Sequence, residues 1–392
     1  MKFLRNTLDK IKPKFEKGGK FAKLHSTFDG FETFLFVPKT VTTTGAHIRD
    51  AIDLKRTMSV VVLALIPALL FGMFNVGYQH SLANGLDQTA MADFCFGFLK
   101  VLPIIVVSYV VGLGIEFTFA QIRGHEINEG FLVSGMLIPL VMPVDVPLWM
   151  VAIATAFAVI IGKEVFGGTG MNIFNPALLT RAFIFFAYPS SISGNTVWVA
   201  GLGQTPAVNG FSGATPLSDA ALAASEHASA INFSSTPIDW FYGLIPGSIG
   251  ETSTLAILIG AAILLFTGVA SYRIMVATFA GGLLTGLLFN LIGANCYMDM
   301  PAYYHLLLGG FAFGAVFMAT DPVTGAQTNI GKWIYGLLIG MLAVVIRVLN
   351  PGYPEGMMLA ILFMNAMVPL IDHYVVEGNI KRRLKRARVQ TK

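Results

Sequence analysis

Four small residues, Ser212, Gly213, Ala214 and Thr215, stand together between Phe211 and Pro216. Such a string makes a turn with an accessible hydroxyl. The other residues with chemistry to offer are ionisable groups set in apolar surroundings. Glu116 lies inside GLGIEFTF, Arg181 lies in the middle of PALLTRAFIF, and Asp145, Asp321 and Asp372 end apolar runs. An ion in hydrocarbon costs at least about 2.5 to 3.5 kcal/mol unless it is paired or hydrated, so each is a functional candidate. Carboxylates offer the oxygen donors that hard cations prefer. The structural alternative makes Glu116 the cap of a neighbouring helix, and makes Asp321, Asp372 and Asp145 helix-end residues at the headgroup level. Arg181 cannot easily reach water and must pair with an anion, Glu164 being one carboxylate at hand. Gly167, Gly168 and Gly170 resemble a phosphate loop only superficially, because no Lys-Ser follows. They suit a close backbone approach at a broken helix, and Gly112 and Gly114 suit a packing surface between helices.

The elements that must position these residues follow from composition. The chain has 392 residues, 55% hydrophobic and 12% charged, with mean hydropathy +0.68. That charge content, against roughly 25% in an average soluble protein, cannot coat a soluble domain of this size. The fold class is an all-α polytopic membrane protein. Cys95 and Cys296 are too few for a four-thiolate iron-sulfur or zinc site. The net charge of +4 reflects basic residues flanking apolar segments, which indicates membrane anchoring and no nucleic acid.

Ten apolar segments qualify as spans: 57–76, 97–121, 128–142, 147–163, 174–188, 253–270, 273–293, 303–319, 332–349 and 355–371. The third, fifth, eighth and tenth are short and are bounded or interrupted by Pro139, Pro143, Pro176, Pro322 and Pro354. Lys and Arg are retained on the cytoplasmic side. They concentrate before the first span, after the tenth, and at Arg123, Lys163, Arg273 and Lys332 beside the even-numbered connections. Only Lys100, Arg181 and Arg347 depart from this. Both termini are therefore expected in the cytoplasm, and residues 189–252, which contain no Lys or Arg, outside.

Five organisational units result: a basic, amphipathic N-terminal segment 1–56, a first five-helix set 57–188, the outward loop 189–252, a second set 253–371 and a basic tail 372–392. The N-terminal segment has an interfacial character. Met142–Asp145 resembles Met318–Asp321, and Pro176–Phe185 resembles Pro354–Phe363, at nearly equal offsets. The spacing predicts two inverted five-helix repeats with short broken helices.

Together with the ten spans, Ser212–Thr215 resembles the flavinylation motif by which a threonine hydroxyl is joined to the phosphate of FMN. The resemblance extends through His47, Arg49, Asp50 and Asp53 to Arg56, through Lys163–Gly170, Asn175–Leu178 and Ile245–Glu251, and through Gly309–Phe313, Met318–Pro322 and Tyr353–Ala360. Over nearly the whole chain it is similar to the family of B subunits of the sodium-translocating NADH:quinone oxidoreductases, related to the D subunit of the Rnf complex.

What the resemblance implies is one component of a six-subunit translocase, matured by a flavin transferase in the bacterial inner membrane and inactive alone. It implies covalent FMN on Thr215, non-covalent riboflavin, and ubiquinone as the electron acceptor. It makes Glu116 a candidate for sodium uptake, with Asp321, Asp372 and Asp145 on the sodium pathway. Gly112 matches the first of two glycines linked to quinone, and Leu113 departs at the second. The aromatic residues Phe28, Phe31 and Phe34 could cover a quinone near the cytoplasmic interface. Arg181, Gly167 and Gly168 become candidates for contact with flavin or its phosphate. Two other classes compete: a channel or secondary transporter, which has no need of a flavin motif, and a structural anchor, which predicts no unpaired intramembrane carboxylate.

Overall fold

A computed structural model describes residues 2–15, 19, 21, 28, 30, 32, 36, 42–48, 54–124, 130–202, 208, 211–350, 353 and 355–390. All regular structure among them is helical. Arg49, Asp50, Asp53, Phe31, Phe34, Asn209, Gly210 and Pro354 lie outside the described residues.

A short amphipathic helix, α1 (Lys2–Ile11), comes first. Five helices are long and apolar enough to cross a membrane: α2 (Leu54–Asn84), α3 (Ala90–Arg123), α10 (Tyr272–Ile292), α13 (Asn329–Leu349) and α14 (Met357–Gln390). Between them stand shorter apolar helices, α4 (Phe131–Leu140), α5 (Leu148–Val159), α6 (Pro176–Ala187) and α9 (Thr254–Phe266). Residues 189–252 add α7 (Pro216–Ser225) and α8 (Pro237–Tyr242).

Polar side chains start these helices where water is scarce. Asn175 accepts from the N–H groups of Ala177 and Leu178, Ser253 from Ala256, and Thr328 from Gly331. Thr236 donates to Asp239 through its hydroxyl and its N–H, which holds that carboxyl below its ordinary range.

The expected tenth segment is not short: α14 has 34 residues and runs through Pro369 into the basic tail. A helix interior tolerates proline where the freed backbone groups are satisfied locally, and Pro369 sits inside α14. The expected eighth segment is in three pieces, α11 (Tyr304–Leu307), α12 (Phe311–Phe313) and a π-helical turn Gly314–Met318. Its break falls at Leu308–Gly310, where Gly309 has φ +60°, and not at Pro322. The guanidinium of buried Arg347 closes the break, donating to the carbonyls of His305 at 2.6 Å, Leu308 at 2.9 Å and Glu355 at 2.8 Å. A second π-helical turn, Ile160–Glu164, extends α5.

Two sets of helices pack alike. In the first, α3 packs against α4 and α5, and α5 against α6. In the second, α10 packs against α11 and α13, and α13 against α14. The sets meet where α2 touches α9 and where α6 touches α14. Each set also seats a phenylalanine on a glycine. A Cβ built on Gly112 would lie 1.9 Å from the Phe131 ring, and one on Gly282 would lie 2.6 Å from the Phe311 ring.

Candidate functional site

Thr215 is the N-cap of α7, and its Oγ1 accepts the Ser218 N–H at 3.1 Å. Extended backbone at the cap leaves Ser212, Gly213 and Ala214 leading into the helix, and Ser212 Oγ accepts the Ala214 N–H at 3.2 Å. A Cβ on Gly213 would lie 2.3 Å from the Asn195 carbonyl oxygen, so the loop passes too close for any other residue. Thr215 lines a cavity of about 300 Å³ with Arg181, Phe185, Trp198, Leu217, Tyr353 and Glu355. This volume lies at the lower end of small-molecule sites, roughly 300 to 1,000 Å³.

Arg181 is buried at the floor of this cavity. The expected partner Glu164 does not reach it; Glu164 pairs with Arg123 at 3.2 Å instead. Two carboxylates that arrive from outside the span, Glu251 at 3.1 Å and Glu355, hold Arg181. The Val141 carbonyl and the Ser248 hydroxyl also accept from it. A buried guanidinium needs this many partners because its desolvation is repaid only when all its N–H groups are bonded. Tyr353, also buried and lining the cavity, has a hydroxyl without a hydrogen-bond partner among the described residues. An orphan hydroxyl beside aromatic walls and a fixed guanidinium is a lining that suits a flavin ring.

The acidic candidates fall into different environments. Glu116, two turns before the C-terminal end of α3 on its packing face, is buried against Lys163 from the π-helical turn. Lys163 belongs to no cytoplasmic loop, contrary to its use as a marker of orientation; it is 3% exposed. Asp321 follows the second π-helical turn, and its Oδ2 accepts from Asn175 at 3.1 Å and its Oδ1 from the Val323 N–H at 2.9 Å. Lys163, Asn175 and Asp321 line one cavity of about 140 Å³, with Ser134, Thr169, Asn172 and Thr320. Less than half the volume beside Thr215, it does not enclose a flavin. Asp372 accepts from the Gln327 N–H, the Thr328 N–H and the Thr328 hydroxyl, so it anchors the start of α13. Asp145 accepts the Gly201 N–H at 2.6 Å and ties down the loop before α7.

Gly167 and Gly168, at φ +125° and +97°, end the first π-helical turn, their N–H groups donating to the carbonyls of Glu164 and Lys163. They line neither cavity. The space at Gly112 is filled by Phe131, Leu113 is half-buried against the core, and Gly114 is exposed. Phe28 is stacked on Phe15 at 4.7 Å.

Sequence reasoning did not find Glu251, Glu355 or Lys163 as site residues. Glu251 reads as a loop residue and Glu355 as the first residue of the tenth segment until the fold brings them to Arg181. The signal for Lys163 was available: Glu116 needed a cation, and the end of the next-but-one span offered one.

Curated relatives agree along nearly the full length. The chain is 49% identical over 406 aligned residues to the B subunit of the Na(+)-translocating NADH-quinone reductase of Chromohalobacter salexigens, with 98% of this chain and 96% of that one covered. It is 50% identical to the proteins of the same name from Ectopseudomonas mendocina and Azotobacter vinelandii, with 98% of this chain and 99% of each of those covered. A profile of the NQR2, RnfD, RnfE family matches residues 41–381, and the chain belongs to that family.

Proposed function

We propose that the protein is the flavin-bearing membrane subunit of a sodium-translocating NADH:quinone reductase, with FMN esterified to Thr215. The observation that carries this reading is the placement of the Thr215 hydroxyl at the N-cap of α7, on the wall of a cavity floored by Arg181 and Glu355. A phosphate on that oxygen would meet the positive end of the helix macrodipole. The small residues before Thr215 give a transferase access to the hydroxyl.

When bound, the flavin supplies reversible electron transfer. The residues of this chain do the rest. Phe185, Trp198 and Tyr353 wall off water, and Arg181 is held still at the cavity by two carboxylates. Riboflavin belongs to the same electron path towards ubiquinone, and no residue of this chain is assigned to hold it. Glu116 and Asp321 supply oxygen ligands to sodium as the transported ion, and Asp372 and Asp145 act by fixing α13 and the outer loop.

In this reading the ten helical segments are ten spans in two inverted repeats. The matched helix contacts support this, as do the two Phe-on-Gly seats. Both termini face the cytoplasm of a bacterial inner membrane, Thr215 faces outward, and five further subunits complete the pump.

The test is expression with the flavin transferase, followed by a denaturing gel. The wild-type band retains flavin fluorescence, Thr215→Val loses it, and Thr215→Ser keeps part of it. Fluorescence retained by Thr215→Val would overturn the attachment.

A further inference from the structure

We propose that Lys163 is a built-in counter-cation shared between Glu116 and Asp321, and that it competes with sodium for Glu116. The proposal rests on the reading that these carboxylates meet the transported ion. Its starting point is a charge count. Among the described residues Glu116 is paired with Lys163, whereas Asp321 receives hydrogen bonds from Asn175 and Val323 and has no cationic partner. The neighbouring Arg123 and Glu164 neutralise each other. Counted over Glu116, Asp321 and Lys163 the formal charges sum to −1, and Lys163 and Asp321 line one cavity. Unpaired charge inside a membrane protein is costly enough to recruit a counter-ion.

The structure also gives the ammonium a second place to go. Lys163 lines the cavity of about 140 Å³ whose wall includes Asp321. At ~30 Å³ per water that space holds about four waters, enough to keep a moving ammonium or a sodium ion partly hydrated. Gly130 beside it carries no side chain, and even a Cβ there would stand 3.6 Å from Nζ. Both ends of the exchange sit on irregular backbone. Lys163 belongs to the π-helical turn Ile160–Glu164, and Asp321 follows the π-helical turn Gly314–Met318. Such turns concentrate at functional sites because their strained ladder shifts register readily.

The consequence is an exchange that stays neutral. With Lys163 on Glu116, Asp321 is the carboxylate open to sodium. With Lys163 on Asp321, Glu116 is open. Whichever carboxylate the ammonium leaves, one sodium ion restores the balance, and the return of the ammonium expels it.

The test reads the sodium concentration that gives half-maximal quinone reduction by the intact complex. Lys163→Gln keeps a hydrogen-bond donor for Glu116 and removes the competitor, so half-saturating sodium falls by about tenfold, the effect of one favourable charge contact. Asp321→Asn removes the alternative resting place, so the same quantity rises several-fold, and it does so only while Lys163 is present. An unchanged or raised requirement in assembled Lys163→Gln with full flavin content overturns the proposal. Should that variant not assemble, Asp321→Asn decides, an unchanged or lowered requirement being fatal. Failure of the underlying reading looks different: Glu116→Gln would then leave the sodium dependence as in wild type.

Discussion

Single residues here act through the company they keep. Arg181 stands in the membrane domain because Glu251 and Glu355 stand there with it, and none of the three is tolerable alone. Breaking a buried ion pair costs about 3 to 5 kcal/mol when the partner charge is stranded. Arg181→Met strands two, so the purified complex is expected to lose yield and melt at lower temperature. Adding Glu251→Gln and Glu355→Gln to that variant should recover part of the loss, as followed by the thermal midpoint. A triple variant no better than the single one would show that Arg181 is not balanced by these carboxylates. Arg347 solves the same problem differently, spending its N–H groups on two carbonyls at a helix break, His305 and Leu308, and on the Glu355 carbonyl.

At the scale of elements, glycines decide how closely helices meet. Gly112 and Gly282 each make room for a phenylalanine ring from the short helix of their own set. Gly112→Ala is therefore expected to destabilise the complex by ~1 to 3 kcal/mol through overpacking. Phe131→Leu in the same chain should relieve it, as read from the thermal midpoint. A change in the KM for quinone that Phe131→Leu leaves untouched would instead assign Gly112 to the substrate.

The long helices were legible from the sequence because a bilayer demands a contiguous apolar stretch, and hydropathy reports little else. The break at Gly309 was not legible, because its cause is the guanidinium of Arg347, which lies far along the chain. Thr215 was legible as a motif, and its neighbours were not. Phe185, Trp198, Tyr353 and Glu355 come from separate segments and share no spacing. The helix Met357–Gln390 outruns the expected segment 355–371 because hydropathy falls at the basic tail while the helix continues through it.

The chain has two regions of different character: residues 189–252 without Lys or Arg, and a basic tail. Its orientation is testable with a membrane-impermeant maleimide. Cys95 is exposed and would be replaced by serine first. In spheroplasts His227→Cys, in the exposed turn after α7, should label from outside. Lys385→Cys, on the exposed tail, should label only after permeabilisation. The reverse pattern would invert the topology and move Thr215 to the other side.

The helix Met357–Gln390 begins next to the residues that hold Arg181 and continues without interruption to the last described turn. At 1.5 Å per residue, 34 residues make a rod about 51 Å long, against roughly 30 Å of hydrocarbon. A fluorophore fused beyond its end would ride on a pointer, displaced about 0.9 Å for each degree that the helix tilts. The protein thus carries its own goniometer, by which rocking at the buried arginine could be followed optically from beyond the helix end.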